Sequence, residues 1–295
     1  MDDGPQTVAI TFDDLPFAGA TPGSAAKAAA VNRAITRILR RERVPAIGFV
    51  TERHTATLKS KGRSLIRDWI AAGFDVGNHG ATHADINTLT IEEVRREIVD
   101  GEHTIRPLTQ QAGRSLRFYR FAYNHVGETE EKRIAIENEL ASRGYQLAAS
   151  TIDTSDYVFD RAHVRAKGNP VLRAKIEQAY LDHTRTQLRY YQALSRQVLG
   201  RTPPAILLLH ANGVNAATLR RVIAVLRSEG MRFVSLADAQ SDSAYAFSPK
   251  IATRFGPMWG YRWARERGVR VDGAKEQEPP AWVRQYGETG LLPKP

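Results

Sequence analysis

The chain has 295 residues, 42% hydrophobic and 25% charged, with no cysteine and a formal net charge of +10. This is the composition of a globular protein long enough for one large core. The missing cysteine excludes a disulfide framework, a thiolate metal site and a cysteine nucleophile, and no apolar run reaches the roughly eighteen residues of a membrane span.

The opening "MDDGPQTVAITF" lacks a charged region followed by an apolar one, so no signal peptide is expected in this chain. From there, short apolar strands alternate with longer helical patterns. Strands are predicted at 7–14, 45–50, 74–79, 117–123, 145–151, 205–210 and 232–237. Helices are predicted near 24–42, 60–72, 90–112, 128–143 and 214–229, the third opened by the capping box Thr90-Ile91-Glu92-Glu93. This alternation implies βαβ units and a largely parallel sheet.

The first strand is followed by two carboxylates, Asp13 and Asp14, and not by a Gly-rich phosphate loop, which argues against a nucleotide-binding sheet. Asp13, Asp14, His79, Tyr123, Asp153 and His210 all stand at strand ends. In a barrel these ends converge on one face, so an irregular (β/α) barrel of about seven parallel strands is expected. Residues 154–203 form an insertion before the sixth strand. Their second half has apolar residues at 172, 176, 180, 188, 191, 194 and 198, a long amphipathic helix on the barrel's side. Tyr190 and Tyr191 on it are expected to pack, with a substrate groove as the alternative. The barrel is assigned to residues 1–240, and residues 241–295 to an extension holding Trp259, Trp263 and Trp282 that packs on it.

The 42 Lys and Arg are spread along the chain without an arginine-rich arm or zinc-finger spacing, so the charge reads as a basic solvated surface and no nucleic-acid partner is expected. The chemistry lies elsewhere. His79 and His83, four residues apart in "NHGATH", are spaced to turn onto one centre, and zinc-type ions take imidazole and carboxylate ligands. Successive strand residues point to opposite sides, so one of Asp13 and Asp14 can join them while the other faces elsewhere.

"TFDD", "NHGATH", "RFAY", "DTSDY" and "LLLH", in this order and each at a strand end, resemble the five motifs of the polysaccharide deacetylases, carbohydrate esterase family four, over about residues 7–238. The resemblance implies a distorted (β/α) barrel and one divalent metal, zinc first, with Co²⁺, Ni²⁺ or Mn²⁺ open. It implies Asp14, His79 and His83 as metal ligands and Asp13 as the general base, oriented by Arg120. The Tyr123 N–H would help hold the oxyanion, Asp153 would fix the tautomer of the general acid His210, and Leu207 and Leu209 would line a pocket for the acetyl methyl. His54, His103, His125, His163 and His183 have no matching partners and read as surface residues, with His125 the one to watch.

Three positions depart from the family's pattern. Gly80 follows the first histidine where Ser or Thr is usual, Ala122 replaces a proline, and Tyr157 replaces a tryptophan. None removes a catalytic atom, but the last two alter the groove walls and weigh against a long polymer such as chitin. The expected reaction is N-deacetylation of an amino-sugar glycan by a secreted or periplasmic enzyme. The alternatives are an O-acetyl esterase of acetylxylan type, hydrolysis of another non-peptide C–N bond, or a non-catalytic glycan-binding barrel.

Overall fold

The computed structural model describes residues 6–246, 248 and 250–292. Eight short strands form one parallel sheet: β1 (Thr7–Leu15), β2 (Ala46–Val50), β3 (Asp75–Asn78), β4 (Phe118–Tyr119), β5 (Gln146–Leu147), β6 (Ile152–Asp153), β7 (Ala205–His210) and β8 (Arg232–Phe233). Their order is β5-β4-β3-β2-β1-β7-β6, with β8 paired beside the start of β1. The sheet curls into a distorted barrel that does not close, as expected. β1 is buried along nearly its whole length, as a parallel strand covered on both faces must be, which explains its continuous apolar run.

Of the predicted "YQLAAST" strand only Gln146–Leu147 is formed, as β5; residues 148–151 lie at the opening of the curl, and β6 begins after them at Ile152. Their backbone groups find partners from distant elements. The Ala149 N–H donates to Gln240 Oε1 (2.8 Å), the Ala149 carbonyl accepts from Arg120 Nη2 (2.7 Å), and the Ser150 carbonyl accepts from the Trp259 N–H (2.8 Å).

The predicted helix at 90–112 is two, Ile91–Asp100 and Ile105–Gln111, and the capping box at Thr90 and Glu93 is formed. The long helix spans Pro170–Leu199, with all seven of the apolar positions named above buried. Trp259 and Trp263 are buried in the main core, and Trp282 packs against it half-buried. Tyr190 and Tyr191 serve this packing, and neither lines the cleft at the strand ends. The Tyr191 hydroxyl donates to Glu276, and Tyr190 meets the Tyr261 hydroxyl at 2.6 Å, which itself donates to Glu276 at 2.6 Å.

Because all strands run in parallel, their C-terminal ends share one rim. Asp13 on β1 lies directly beside His210 on β7, Asn78 on β3 beside Tyr119 on β4, and His79 follows at once.

Candidate metal centre and active site

Near its C-terminal end β1 carries two adjacent aspartates whose side chains part. Asp14 takes φ 63° within the irregularity where the β1–β2 register shifts between Phe12 and Leu15. Among the described residues, seven non-glycine residues have positive φ, and five lie in or beside this rim: Asp14, His83, Tyr123, Asn124 and Ser155. Such conformations cost energy and persist where the surrounding structure holds side chains for a task.

Asp14 Oδ1 stands 3.7 Å from His79 Nε2 and 3.4 Å from His83 Nε2. Ligands held ~2.0–2.2 Å from a shared zinc-type ion stand roughly 3.3–3.6 Å apart, so the three atoms fit one cation. Asp14, His79 and His83 are the group among the described residues that meets the geometry of a metal site. His79 Nδ1 lies 2.7 Å from the Arg120 carbonyl, which takes the N–H and leaves Nε2 with its lone pair toward Asp14. Burial holds His83 down to about 4 against the attraction of Asp14, so its imidazole is neutral near pH 7. Burial acts to raise Asp14, but the imidazoles around it, His79 foremost, keep its carboxyl below the usual range.

The loop carrying these ligands explains Gly80. It takes φ +84° and donates its N–H to Asn78 Oδ1 at 2.8 Å, and a Cβ there would meet Glu97 and Tyr119 at 3.0 Å. Thr82 supplies the side-chain anchoring, with its N–H 2.9 Å from Glu97 Oε2 and its hydroxyl donating to Glu97 Oε1.

Asp13 turns the other way. Its Oδ1 accepts from Arg120 Nη1 at 2.8 Å, and its Oδ2 faces His79 Nε2 at 3.7 Å. Arg120 is 1% exposed, donates also to Thr11 Oγ1 and the Ala149 carbonyl, and lies over the Phe49 ring. Burial lowers the Arg120 pKa from its ordinary value, against the pull of Asp13. The expected orienting contact is therefore present.

The partner of His210 is not the one expected. His210 Nδ1 is held at 2.6 Å by Asp156 Oδ1, and Asp156 Oδ2 accepts the His210 N–H and the side-chain amides of Asn212 and Asn215. Asp153 instead accepts the Ser155 N–H at 2.8 Å and lines the groove. The turn at Ser155, φ 49°, sends the chain from β6 into the helix Asp156–Arg165, whose first residue then reaches back to β7. Burial alone would lower His210, but the Asp156 carboxylate prevails and pushes it up to about 10. Burial, aided by the charge of Asp156, pushes Asp153 up to about 6 against the Ser155 hydrogen bond.

The groove over these groups has a volume of about 580 Å³ and is lined by Asp13, Asp14, His79, His83, Tyr123, Asp153, Tyr157 and His210, among others. Of the β7 leucines, Leu208 lines it, not Leu207 or Leu209. Side chains alternate along β7, so the residue sharing a face with His210 is two positions back, and Leu207 and Leu209 lie fully buried in the core.

The other histidines were misread as surface residues except His103, which is exposed. His54 stacks on His83 with centroids 6.3 Å apart, its Nδ1 4.0 Å from Asp14. His163 and His183 are buried, and His125 pairs with Asp85 at 2.8 Å. His54, Asp156, Asn212 and Asn215 are site and supporting residues that sequence reasoning missed, as is Asp160, which lines the groove and accepts the Val214 N–H at 2.8 Å. Asp156 stood inside "DTSDY", and Asn212 and Asn215 follow "LLLH" at once, so proximity to the motifs was the available signal.

A curled parallel barrel that delivers an aspartate and two histidines to one centre defines a protein with a candidate catalytic metal site. Residues 1–138 match the family model described as polysaccharide deacetylase, and the resemblance read from the motifs stands. The chain is 32% identical over 109 residues to a chitooligosaccharide deacetylase of Bradyrhizobium sp. (strain ANU 289), 37% of this chain and 43% of that one. It is 31% identical over 121 residues to one of Sinorhizobium fredii, 41% of this chain and 48% of that one, so the match spans less than half of either relative.

Among solved structures, the chitin deacetylase of Colletotrichum lindemuthianum aligns at a TM-score of 0.58 and 21% identity, covering 84% of this chain and 92% of that one. A family-four carbohydrate esterase pseudoenzyme of Bacillus anthracis aligns at 0.55 and 16%, covering 80% and 66%. At these identities the structural likeness establishes the fold.

Proposed function

We propose that the chain is a metal-dependent hydrolase that removes acetyl groups from a carbohydrate, N-acetyl amino-sugar oligosaccharides first. The carrying observation is that a metal-competent Asp14–His79–His83 group faces two braced proton-transfer groups, Asp13 held by Arg120 and His210 held by Asp156. A divalent cation held by that group, zinc foremost, supplies Lewis-acid polarisation of an acetyl carbonyl and a lowered pKa for water.

The protein's own residues do the rest. Arg120 ties down one oxygen of Asp13 and leaves the other free to take a proton from the attacking water. His210 keeps its proton near neutral pH, since Asp156 holds Nδ1, and Nε2 is left to protonate a departing amine or alkoxide. The Tyr123 N–H helps hold the oxyanion at the groove wall. Leu208 gives the acetyl methyl an apolar contact. Two exposed tyrosines, Tyr123 and Tyr157, flank the groove and offer flat faces to a sugar ring. Such glycans lie outside cells or in the envelope, and we propose that as the place of work.

The test is acetate release from chitooligosaccharides, acetylated xylan and an aryl acetate, after chelation and again with Zn²⁺ restored, beside Asp13→Asn. Release that returns with metal and disappears in Asp13→Asn supports the reading, and the preferred substrate separates amide from ester. Release that persists in Asp13→Asn would remove the base from the mechanism.

A further inference from the structure

One wall of the groove comes from outside the five motifs. Gly256 and Met258, in the C-terminal extension, line it beside Tyr123 and Asn124. The contact is close: a Cβ at Gly256 would come within 1.6 Å of the Tyr123 carbonyl oxygen, so only glycine lets the two backbones meet there.

Several bonds tie this segment down. Arg262 is 1% exposed and donates from Nη2 to the Asn124 carbonyl (2.6 Å) and from Nε to the Pro257 carbonyl (3.0 Å). The Thr253 N–H reaches the Gly127 carbonyl at 2.9 Å, and Asn87 Nδ2 reaches the Arg254 carbonyl at 2.9 Å. Tyr123 and Asn124, the residues so gripped, both hold positive φ. A strained turn at the rim is thus clamped from the far end of the chain.

Beside the clamp stands an unexplained surface feature. Among the described residues, the large aromatic side chains classed as exposed are Tyr123, Tyr157 and Phe255. Two line the groove, and Phe255, 76% exposed, is next in sequence to a third lining residue. A single exposed apolar side chain is ordinary on a protein surface, so the weight rests on its place, between Arg254, held by Asn87, and the lining Gly256.

We propose that residues 254–262 are the outer wall of the substrate site: Phe255 is a stacking face for a sugar, Met258 a specificity-determining side chain that limits saccharide length, and Arg262 a positioning residue that holds the wall to the Tyr123–Asn124 turn. The walled groove of about 580 Å³ falls within the roughly 300–1,000 Å³ that takes a single small ligand, so it suits a short acetylated oligosaccharide or a chain end. The saccharide part rests on the deacetylase reading.

The test uses the full chain with Zn²⁺. Calorimetric binding of N,N′-diacetylchitobiose and of chitohexaose is measured in an Asp13→Asn background, which prevents turnover. Phe255→Ala in that background should weaken binding about three- to tenfold. The two saccharides should bind within about threefold of each other, and Met258→Ala should shift the preference toward the hexaose.

Hydrogen exchange of the 121–127 segment is followed in Arg262→Met and, as a milder release that keeps the charge but not both carbonyl bonds, in Arg262→Lys. Exchange should quicken at least about tenfold in the first and less in the second. Unchanged exchange in both variants overturns the clamp, and unchanged affinity in Phe255→Ala overturns the stacking face. Absence of saccharide binding in the parent overturns the proposal as a whole. Binding by the parent with no acetate released by the unmutated chain sinks the deacetylase reading alone and leaves the wall standing.

Discussion

His210 Nδ1 lies 2.6 Å from Asp156 Oδ1, and the other oxygen of the same carboxylate accepts the His210 backbone N–H at 2.7 Å. One carboxylate therefore fixes both the ring and the strand end that carries it. Asp156→Asn should lower deacetylation by about 10²–10⁴-fold, the range for loss of a positioned proton donor. Asp153→Asn should cost less than about tenfold, because Asp153 bonds the Ser155 N–H and not the imidazole. Steady-state rates of the two variants decide it, and equal losses would refute the assignment.

The metal group should reveal itself in stability as well as in rate. Zn²⁺ at about one hundred times its Kd should add about 2.7 kcal/mol to unfolding, since the unfolded chain has no preformed Asp14–His79–His83 group. His83→Ala should abolish the increment. Urea unfolding with and without chelator measures it, beside metal content by mass spectrometry, for which one ion per chain is expected.

Leu208 and Leu209 are adjacent yet belong to different parts of the molecule. Leu208→Ala should enlarge the acyl pocket and raise relative activity toward propionyl over acetyl substrates. Leu209→Ala should leave that ratio unchanged and destabilise the fold by about 2–5 kcal/mol, because it empties a core position. A propionyl-to-acetyl rate ratio for each variant separates the two. A ratio that moves with Leu209 and not Leu208 would contradict the strand alternation on which the Leu208 lining rests.

That pair also shows what a sequence can and cannot display. Strand cores such as "TVAITF" and the 170–199 helix were legible because burial periodicity is local, and Thr90–Glu93 because a capping box spans only four residues. Asp14, His79 and His83 were legible as a set because each ends or follows a strand of one parallel rim. Asp156 was missed because the choice between two aspartates in "DTSDY" depends on the positive φ at Ser155, a conformation that no side-chain pattern announces. His54 was missed because its neighbour Asp14 is forty residues earlier and meets it only after β1 and β2 pair. The early end of the "YQLAAST" strand depends on Gln240, Arg120 and Trp259, partners remote in the chain.

Arg120 is a buried cation whose opposite charge is Asp13. Arg120→Ala removes it and leaves the carboxylate in a dry site, which should cost about 3–5 kcal/mol of stability. Arg120→Lys should retain part of this, since an ammonium keeps the charge but cannot reach Asp13, Thr11 and Ala149 together as the guanidinium does. Denaturant midpoints of the two variants test the order; an Arg120→Ala protein as stable as the parent would deny the pair its structural part.

His183 supplies a pH-dependence away from the metal group. It lies on the long helix, 5% exposed, against the Phe159 ring and with Gln187 Nε2 3.2 Å from its Nε2. Burial alone pushes its pKa down to about 4. The folded chain thus refuses a proton that the unfolded chain, with an ordinary histidine near 6.5, accepts. Between about pH 6.5 and 4 the unfolded state binds more protons, so stability falls as the pH drops through this window, at up to about 1.4 kcal/mol per pH unit. His183→Gln removes the titration while keeping a polar partner for Gln187. The variant should be less stable than the parent at pH 8 through imperfect packing, and this deficit should shrink or reverse toward pH 4.5. Urea midpoints across that range measure the difference, and a deficit constant with pH would show that His183 is protonated as readily in the fold as outside it.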